Sequence, residues 1–129
     1  MLLRRSGHRR MEWDVFLDEE FDAWLQTLEE GLQDEIFAAI ELLRRLGPNL
    51  HRPRVDTFKG SSFSNMKELR IQYRRDPLRI LFAFDPARNA ILLVGGNKGA
   101  NKRWYDENIP IADRRFRRHL DRLKEDQGG

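Results

Sequence analysis

Arg70 and Arg79 stand on two segments in which apolar and polar residues alternate, Lys67-Glu68-Leu69-Arg70-Ile71-Gln72-Tyr73 and Leu78-Arg79-Ile80-Leu81-Phe82-Ala83-Phe84. Glu68 precedes Arg70 by two residues, Lys98 follows Gly95-Gly96-Asn97, and Tyr105 closes the run Lys102-Arg103-Trp104-Tyr105. These residue types suit work on a phosphodiester. A guanidinium presents a planar fork of donors to phosphate oxygens. Lysine adds a point charge, and tyrosine can donate a proton or stack on a base. Cleavage of RNA without a metal has matching needs. The ribose 2′-hydroxyl attacks the adjacent phosphorus, a base takes its proton, cations hold the phosphorane oxygens, and an acid protonates the leaving 5′-oxygen. Histidine is a poor candidate for the acid–base work, because His8, His51 and His119 are scattered outside this region. His119 reads as a surface residue of the terminal helix. No set of His, Asp and Glu has metal-ligand spacing, so no metal and no cofactor is implied.

The side chains share a surface only if their strands pair correctly. Successive strand residues point to opposite faces. Pairing Tyr73 with Leu78 across Arg74-Arg75-Asp76-Pro77 puts Leu69, Ile71, Tyr73, Leu78, Ile80 and Phe82 on one face. Glu68, Arg70, Gln72 and Arg79 then occupy the other. A register of opposite parity buries Arg79 in the core, so the apolar pattern selects this one. The prediction is a sheet with one apolar face and one bearing fixed arginines, an anion-binding surface. Lys59, Lys67, Lys102 and Arg103 are the candidate RNA contacts around it. Alternation turns Lys67 to the apolar side, so it reaches solvent only at the strand edge.

The flanking elements are also legible. Trp13-Asp14-Val15-Phe16-Leu17 reads as a first strand, and Asp18 as the N-cap of a helix carrying Phe21, Trp24, Leu25 and Leu28, breaking near Gly31. A second helix follows from about Leu32 to Leu46, with Leu32, Ile36, Phe37, Ile40 and Leu43 as its stripe and Gly47-Pro48 as its stop. Residues 48–65 read as loop around a short strand at Arg54 to Phe58. Ala90 to Val94 is a third apolar run, and Ile109, Ala112, Phe116, Leu120 and Leu123 mark a terminal helix. The fold class is therefore α+β, a single domain: an N-terminal strand, a helical hairpin, a three-stranded antiparallel sheet section and a C-terminal helix.

The chain has 129 residues, no cysteine and a net charge of +3. That length allows one domain with one modest core. The absence of cysteine suits a reducing cytoplasm, and no apolar run approaches a membrane span. Charge is unevenly placed. Residues 1–10 hold four arginines and no acid (+4); residues 11–46 hold eleven acids against Arg44 and Arg45 (−9); residues 47–129 hold eighteen Lys and Arg against ten acids (+8). An acidic helical half and a basic sheet half point to a polyanion on one side. Residues 1–10 read as a basic tail with Met11 as an alternative start, 11–124 as the domain, and 125–129 as a frayed end.

Taken together, Trp13-x-Val15, Phe21-x-x-Trp24-Leu25-x-x-Leu28, Leu46-Gly47-Pro48-x-Leu50-x-Arg52-Pro53, Lys67-Glu68-Leu69-Arg70, Arg79-Ile80-Leu81-Phe82, Leu92-Leu93-x-Gly95-x-x-Lys98, Tyr105 and Ala112 resemble the RelE/ParE toxin superfamily, and within it the phage-derived HigB-like branch. The resemblance spans about residues 11–123. It implies a toxin of a type II toxin–antitoxin system, a ribosome-dependent mRNA endonuclease that inhibits translation. Its partners would be a cognate helix-turn-helix antitoxin, the ribosome and mRNA, with operator DNA reached only through the antitoxin. Two alternatives share the fold: a ParE-like inhibitor of DNA gyrase, and an inactive relic that only binds antitoxin. By resemblance, Arg79 maps onto a recurrent active-site arginine, Lys98 onto a recurrent cation, and Tyr105 onto an aromatic that stacks or donates a proton. The chain departs from RelE where that protein has lysines, at Met66 and Glu68. A lysine proton shuttle therefore does not carry over, which leaves Glu68 as either a base or the group that orients Arg70.

Overall fold

The computed structural model describes residues 12–128; the basic tail and the alternative start at Met11 lie outside them. The chain runs β1 (Asp14–Leu17), α1 (Glu19–Gln26), α2 (Glu30–Leu46), a single 3₁₀ turn (Gly47–Asn49), β2 (Val55–Thr57), β3 (Met66–Tyr73), β4 (Asp76–Phe84), β5 (Asn89–Asn97) and α3 (Trp104–Gly128). All five strands form one sheet in the order β1-β5-β4-β3-β2. β1 lies parallel to β5, and the other pairs are antiparallel. The α+β architecture is the expected one. The antiparallel section is extended by β2 on one edge, and β1 closes the other.

Alternation along β3 and β4 sets the faces. Leu69, Ile71, Leu78, Ile80 and Phe82 pack with Phe21, Leu25, Ile36 and Leu43 of the helical hairpin. The opposite face is not uniformly polar. Met66, Leu81, Ala83, Ile91 and Leu93 form a second core with Trp104, Ile109, Ala112 and Phe116 of α3. The sheet thus lies between two helical layers, and only the part beyond α3 carries charged groups. A bulge at Leu81/Phe82, where Val94 and Leu92 are the successive partners, lets both Leu93 and Val94 enter that second core.

Several expectations need correction. Tyr73 pairs with Asp76, not Leu78, so Leu69 faces Ile80 and Arg70 faces Arg79. Arg74 adopts φ +57°, which permits a tight two-residue turn at Arg74-Arg75. The shift is by two residues, so every side chain keeps its predicted face. The helix break falls at Thr27, whose hydroxyl donates to the Trp24 carbonyl at 2.6 Å, while Gly31 lies inside α2. Gly31 is a point of close approach: a Cβ there would stand 2.4 Å from the Tyr73 hydroxyl oxygen. Ala39 replaces Phe37 in the buried stripe of α2, and Phe37 is exposed. α3 starts at Trp104, five residues before Ile109, carries Pro110 within it and continues through Glu125 to Gly128.

Polar contacts fasten α3. Asp85, buried in the β4–β5 turn, accepts from the Ala87 and Asn89 amides, the Asn89 side chain and His119 Nε2, the last at 2.7 Å. His119 is therefore a tethered, partly buried residue and stacks on Phe116. Burial alone would raise the Asp85 pKa, but the bonds from His119, Asn89 and Ala87 outweigh it and hold it below the ordinary value. At the other side of the helix, Arg118 donates to Asp18 at 2.8 Å and Arg115 to Glu20 at 2.7 Å. Asp18 also caps α1, accepting from the Glu20 and Phe21 amides.

Candidate functional site

Pairing of β3 with β4 brings Arg70 directly opposite Arg79. Two like charges across a ladder repel, so a counter-charge must hold them. Glu68 supplies it. Glu68 is buried, only 2 % exposed. One oxygen accepts from Arg70 Nε at 3.0 Å. The other accepts from the Tyr105 hydroxyl at 2.5 Å and lies 3.8 Å from Arg79 Nε. Arg79 Nη1 donates to the Leu78 carbonyl at 3.0 Å, while its Nε is buried without a hydrogen-bond partner.

Tyr105 reaches this carboxylate because α3 begins one residue earlier. Trp104 is buried against Gly96, where a Cβ would stand 2.6 Å from the indole nitrogen. With glycine there the indole can come close against β5, and the next side chain, Tyr105, reaches Glu68. The Tyr105 ring packs near Phe58, and Lys98 Nζ sits 5.8 Å from its centroid. Burial, and next the hydrogen bond to Glu68, push the Tyr105 phenol up to about 12, against a smaller opposing pull from Arg79. The hydroxyl is thus a donor that keeps its proton at neutral pH.

The structure brings five expected residues together: Glu68, Arg70, Arg79, Lys98 and Tyr105. Lys102 and Arg103 are exposed in the turn leading into α3, beside Tyr105, and Lys59 is exposed in the loop before β3. Lys67 faces away from Glu68 and Arg70 by alternation and is half-buried. The surface is also less cationic than expected, since both arginines lie against acids.

One such acid is a residue that sequence reasoning missed. Asp56 of β2 pairs with Glu68 across the ladder, and its Oδ2 accepts from Arg70 Nη2 at 3.2 Å and Arg52 Nε at 3.0 Å. The Arg52 bond, and next the Thr57 amide, hold the Asp56 pKa below its ordinary value. The signal available was the alternation Val55-Asp56-Thr57, obscured by its setting in a Pro- and Ser-rich segment. Arg54 was missed for the same reason. With Glu35, Pro53, Arg70, Ile71, Gln72 and Arg79 it lines a cleft of about 420 Å³. Among the described residues, no group of three His, Asp or Glu side chains is arranged to hold a metal ion. No described helix is long and apolar enough to cross a membrane.

Comparison with known proteins agrees with this fold. Residues 23–117 match the family described as phage-derived protein Gp49-like. Two toxin-named proteins of Mycobacterium tuberculosis are each 52 % identical: HigB2 over 104 residues and HigB3 over 102. These matches cover 79 % and 78 % of this chain, and 52 % of HigB2 but 88 % of HigB3, so the chain spans about half the length of the former. Among solved structures, a double arginine-to-alanine mutant of the E. coli toxin RelE in the free state superposes with a TM-score of 0.54 at 13 % identity, over 81 % of this chain and 98 % of that one. A chain of the archaeal RelE–RelB complex from Pyrococcus horikoshii OT3 gives 0.52 at 16 % identity, over 70 % of this chain and 99 % of that one. The chain belongs to the phage-derived Gp49-like family, in a HigB-like branch built on the RelE fold.

Proposed function

We propose that this protein is the toxin of a type II toxin–antitoxin system and acts as a metal-independent endonuclease on ribosome-bound mRNA. The observation that carries the reading is the Glu68-centred cluster, in which one buried carboxylate fixes two guanidinium groups and a protonated phenol. Relatives named HigB toxins, and the RelE fold, support the class.

In this reading Arg70 and Arg79 hold the non-bridging oxygens of the scissile phosphate as the 2′-hydroxyl attacks phosphorus. Tyr105 gives its proton to the leaving 5′-oxygen, which breaks the P–O bond. As the phenol turns away, the Glu68 oxygen it occupied is vacated and can take the 2′-hydroxyl proton. The products are a 2′,3′-cyclic phosphate and a 5′-hydroxyl, with the protons balanced between Tyr105 and Glu68. Lys98 adds positive potential beside the ring. The ribosome supplies positioning of the RNA, an effect that can be worth several orders of magnitude. A helix-turn-helix antitoxin holds the toxin harmless in the cytoplasm and carries any contact with operator DNA.

Induced expression followed by 5′-end mapping of cellular messages tests the proposal. Cuts within translated regions, with naked RNA largely spared, are expected. Digestion of free RNA that a chelator abolishes, or trapped gyrase with intact messages, would overturn it.

A further inference from the structure

The outer edge of β3 is only half covered. β2 pairs with it over Val55–Thr57 against Lys67–Leu69, and one further bond joins the Arg70 amide to the Arg54 carbonyl at 2.7 Å. Beyond that point, at Ile71–Tyr73, no strand among the described residues pairs with this outer edge. The gap is the cleft of about 420 Å³, walled by the Pro53-Arg54 loop on one side and by Glu35 of α2 on the other. A cavity of this size is in the range that small ligands occupy.

Its charges call for an anion. Arg54, Arg70 and Arg79 all line it. Arg70 and Arg79 are held by Glu68 and Asp56, whereas the exposed Arg54 side chain has no hydrogen bond or ion pair among the described residues. Three arginines lining one space, with a single carboxylate among the lining residues, make a favourable seat for a phosphate. The far wall differs. Glu35 offers a carboxylate, and Gln72, whose Nε2 donates to the Arg74 carbonyl at 3.3 Å, has its amide oxygen left as an acceptor. That wall repels a second phosphate and accepts N–H groups.

We infer that this cleft is a nucleotide-binding pocket adjoining the Glu68 cluster, in which Arg54 grips the phosphate of a nucleotide neighbouring the cut and Glu35 with Gln72 receives its base. Bases with an exocyclic amino group are favoured there over uracil. The inference rests on RNA being the substrate. Arg70 and Arg79 border both the cleft and the Glu68 cluster, so one strand can occupy the two together.

The test is single-turnover cleavage of defined messages on programmed ribosomes by the full chain. Arg54→Ala is expected to raise the half-saturating protein concentration about tenfold, in line with loss of one charge-assisted contact, and to leave the melting curve unchanged. Arg54→Lys should recover most of the loss. Glu35→Gln should relax discrimination against uracil at one position beside the cut. If Arg54→Ala and Glu35→Gln match the parent in both measurements while Arg79→Ala slows cleavage, the pocket is wrong and the nuclease reading stands. If the parent protein cuts no message, both fall.

Discussion

Tyr105 and Glu68 share one hydrogen bond, and its consequences can be measured directly. The chain has only two tyrosines, Tyr73 and Tyr105. Both phenols are held above their ordinary pKa, Tyr73 first through its bond to Glu29 and Tyr105 first through burial, reaching about 12. A phenol with a raised pKa binds its proton more tightly in the folded state. Its contribution to stability is therefore complete below about pH 10 and is lost as pH rises from there toward 12. Ultraviolet titration should place the Tyr105 phenolate transition near pH 12 and the Tyr73 transition above its ordinary value, and Glu68→Gln should move the Tyr105 transition downward. An unchanged transition in that variant would mean the bond contributes nothing. The arginines give a functional counterpart. Arg79→Ala and Arg70→Ala should each slow cleavage about a hundredfold, roughly 3 kcal/mol of transition-state stabilisation, with the protein still folded. Equal toxicity of Arg79→Ala at matched protein levels would refute the site. Asp56→Asn should weaken activity less than Arg70→Ala does, because it releases one of the two carboxylates that hold that guanidinium.

At the scale of elements, the end of β5 decides where Tyr105 stands. Gly95 and Gly96 face opposite layers: a Cβ on Gly95 would meet Trp24 of α1 at 2.4 Å, and one on Gly96 would meet Trp104 of α3 at 2.6 Å. Alanine at either position pushes a ring off the sheet, at about 1–3 kcal/mol. Gly96→Ala should in addition depress cleavage, since Tyr105 follows Trp104, whereas Gly95→Ala should affect chiefly the melting temperature. These are also the places where sequence was least explicit. Period-two alternation placed Glu68, Arg70 and Arg79 on one face, because an error of two residues in register leaves faces intact. Nothing in Arg74-Arg75 announces a left-handed turn residue, so the register itself was hidden. The apolar stripe that marks the terminal helix begins at Ile109, beside Pro110, so the start of α3 at Trp104 and Tyr105 fell outside it. The Asp85–His119 tether joins residues 34 apart and has no local signature at all. Because the Asp85 pKa is held low, its stabilising effect is complete above the ordinary carboxylate range and is lost as pH falls through the depressed value. Asp85→Asn should accordingly flatten the loss of stability in acid, while costing about 2–3 kcal/mol at neutral pH through weakened bonds to His119 and the turn amides.

The whole molecule divides its charge between two surfaces, and the proposed antitoxin must choose one. Reversing the arginines of α3 looks like a direct test of docking on the basic side, but the structure shows why it misleads. Arg115 and Arg118 are tied to Glu20 and Asp18, so their reversal would loosen α3 from α1 and unsettle the fold. Arg114 is exposed and offers a cleaner position. On the opposite side of the molecule, Glu30, Asp34, Phe37 and Glu41 recur at helical spacing along α2 and are all exposed, with Phe37 at 48 %. One large aromatic ring amid acids is the composition of an interface anchor with a polar surround. The site cluster lies beyond the far face of the sheet, so an antitoxin seated on α2 would inhibit by bulk, blocking entry to the ribosome without covering Tyr105. Phe37→Asp should therefore weaken the complex with the cognate antitoxin by about 2 kcal/mol, near thirtyfold, and Arg114→Glu should leave it unchanged. Calorimetric titration of the two variants distinguishes the models: an intact complex with Phe37→Asp alongside a lost one with Arg114→Glu places the antitoxin on the α3 side, where its acids would compete with RNA for the same cations.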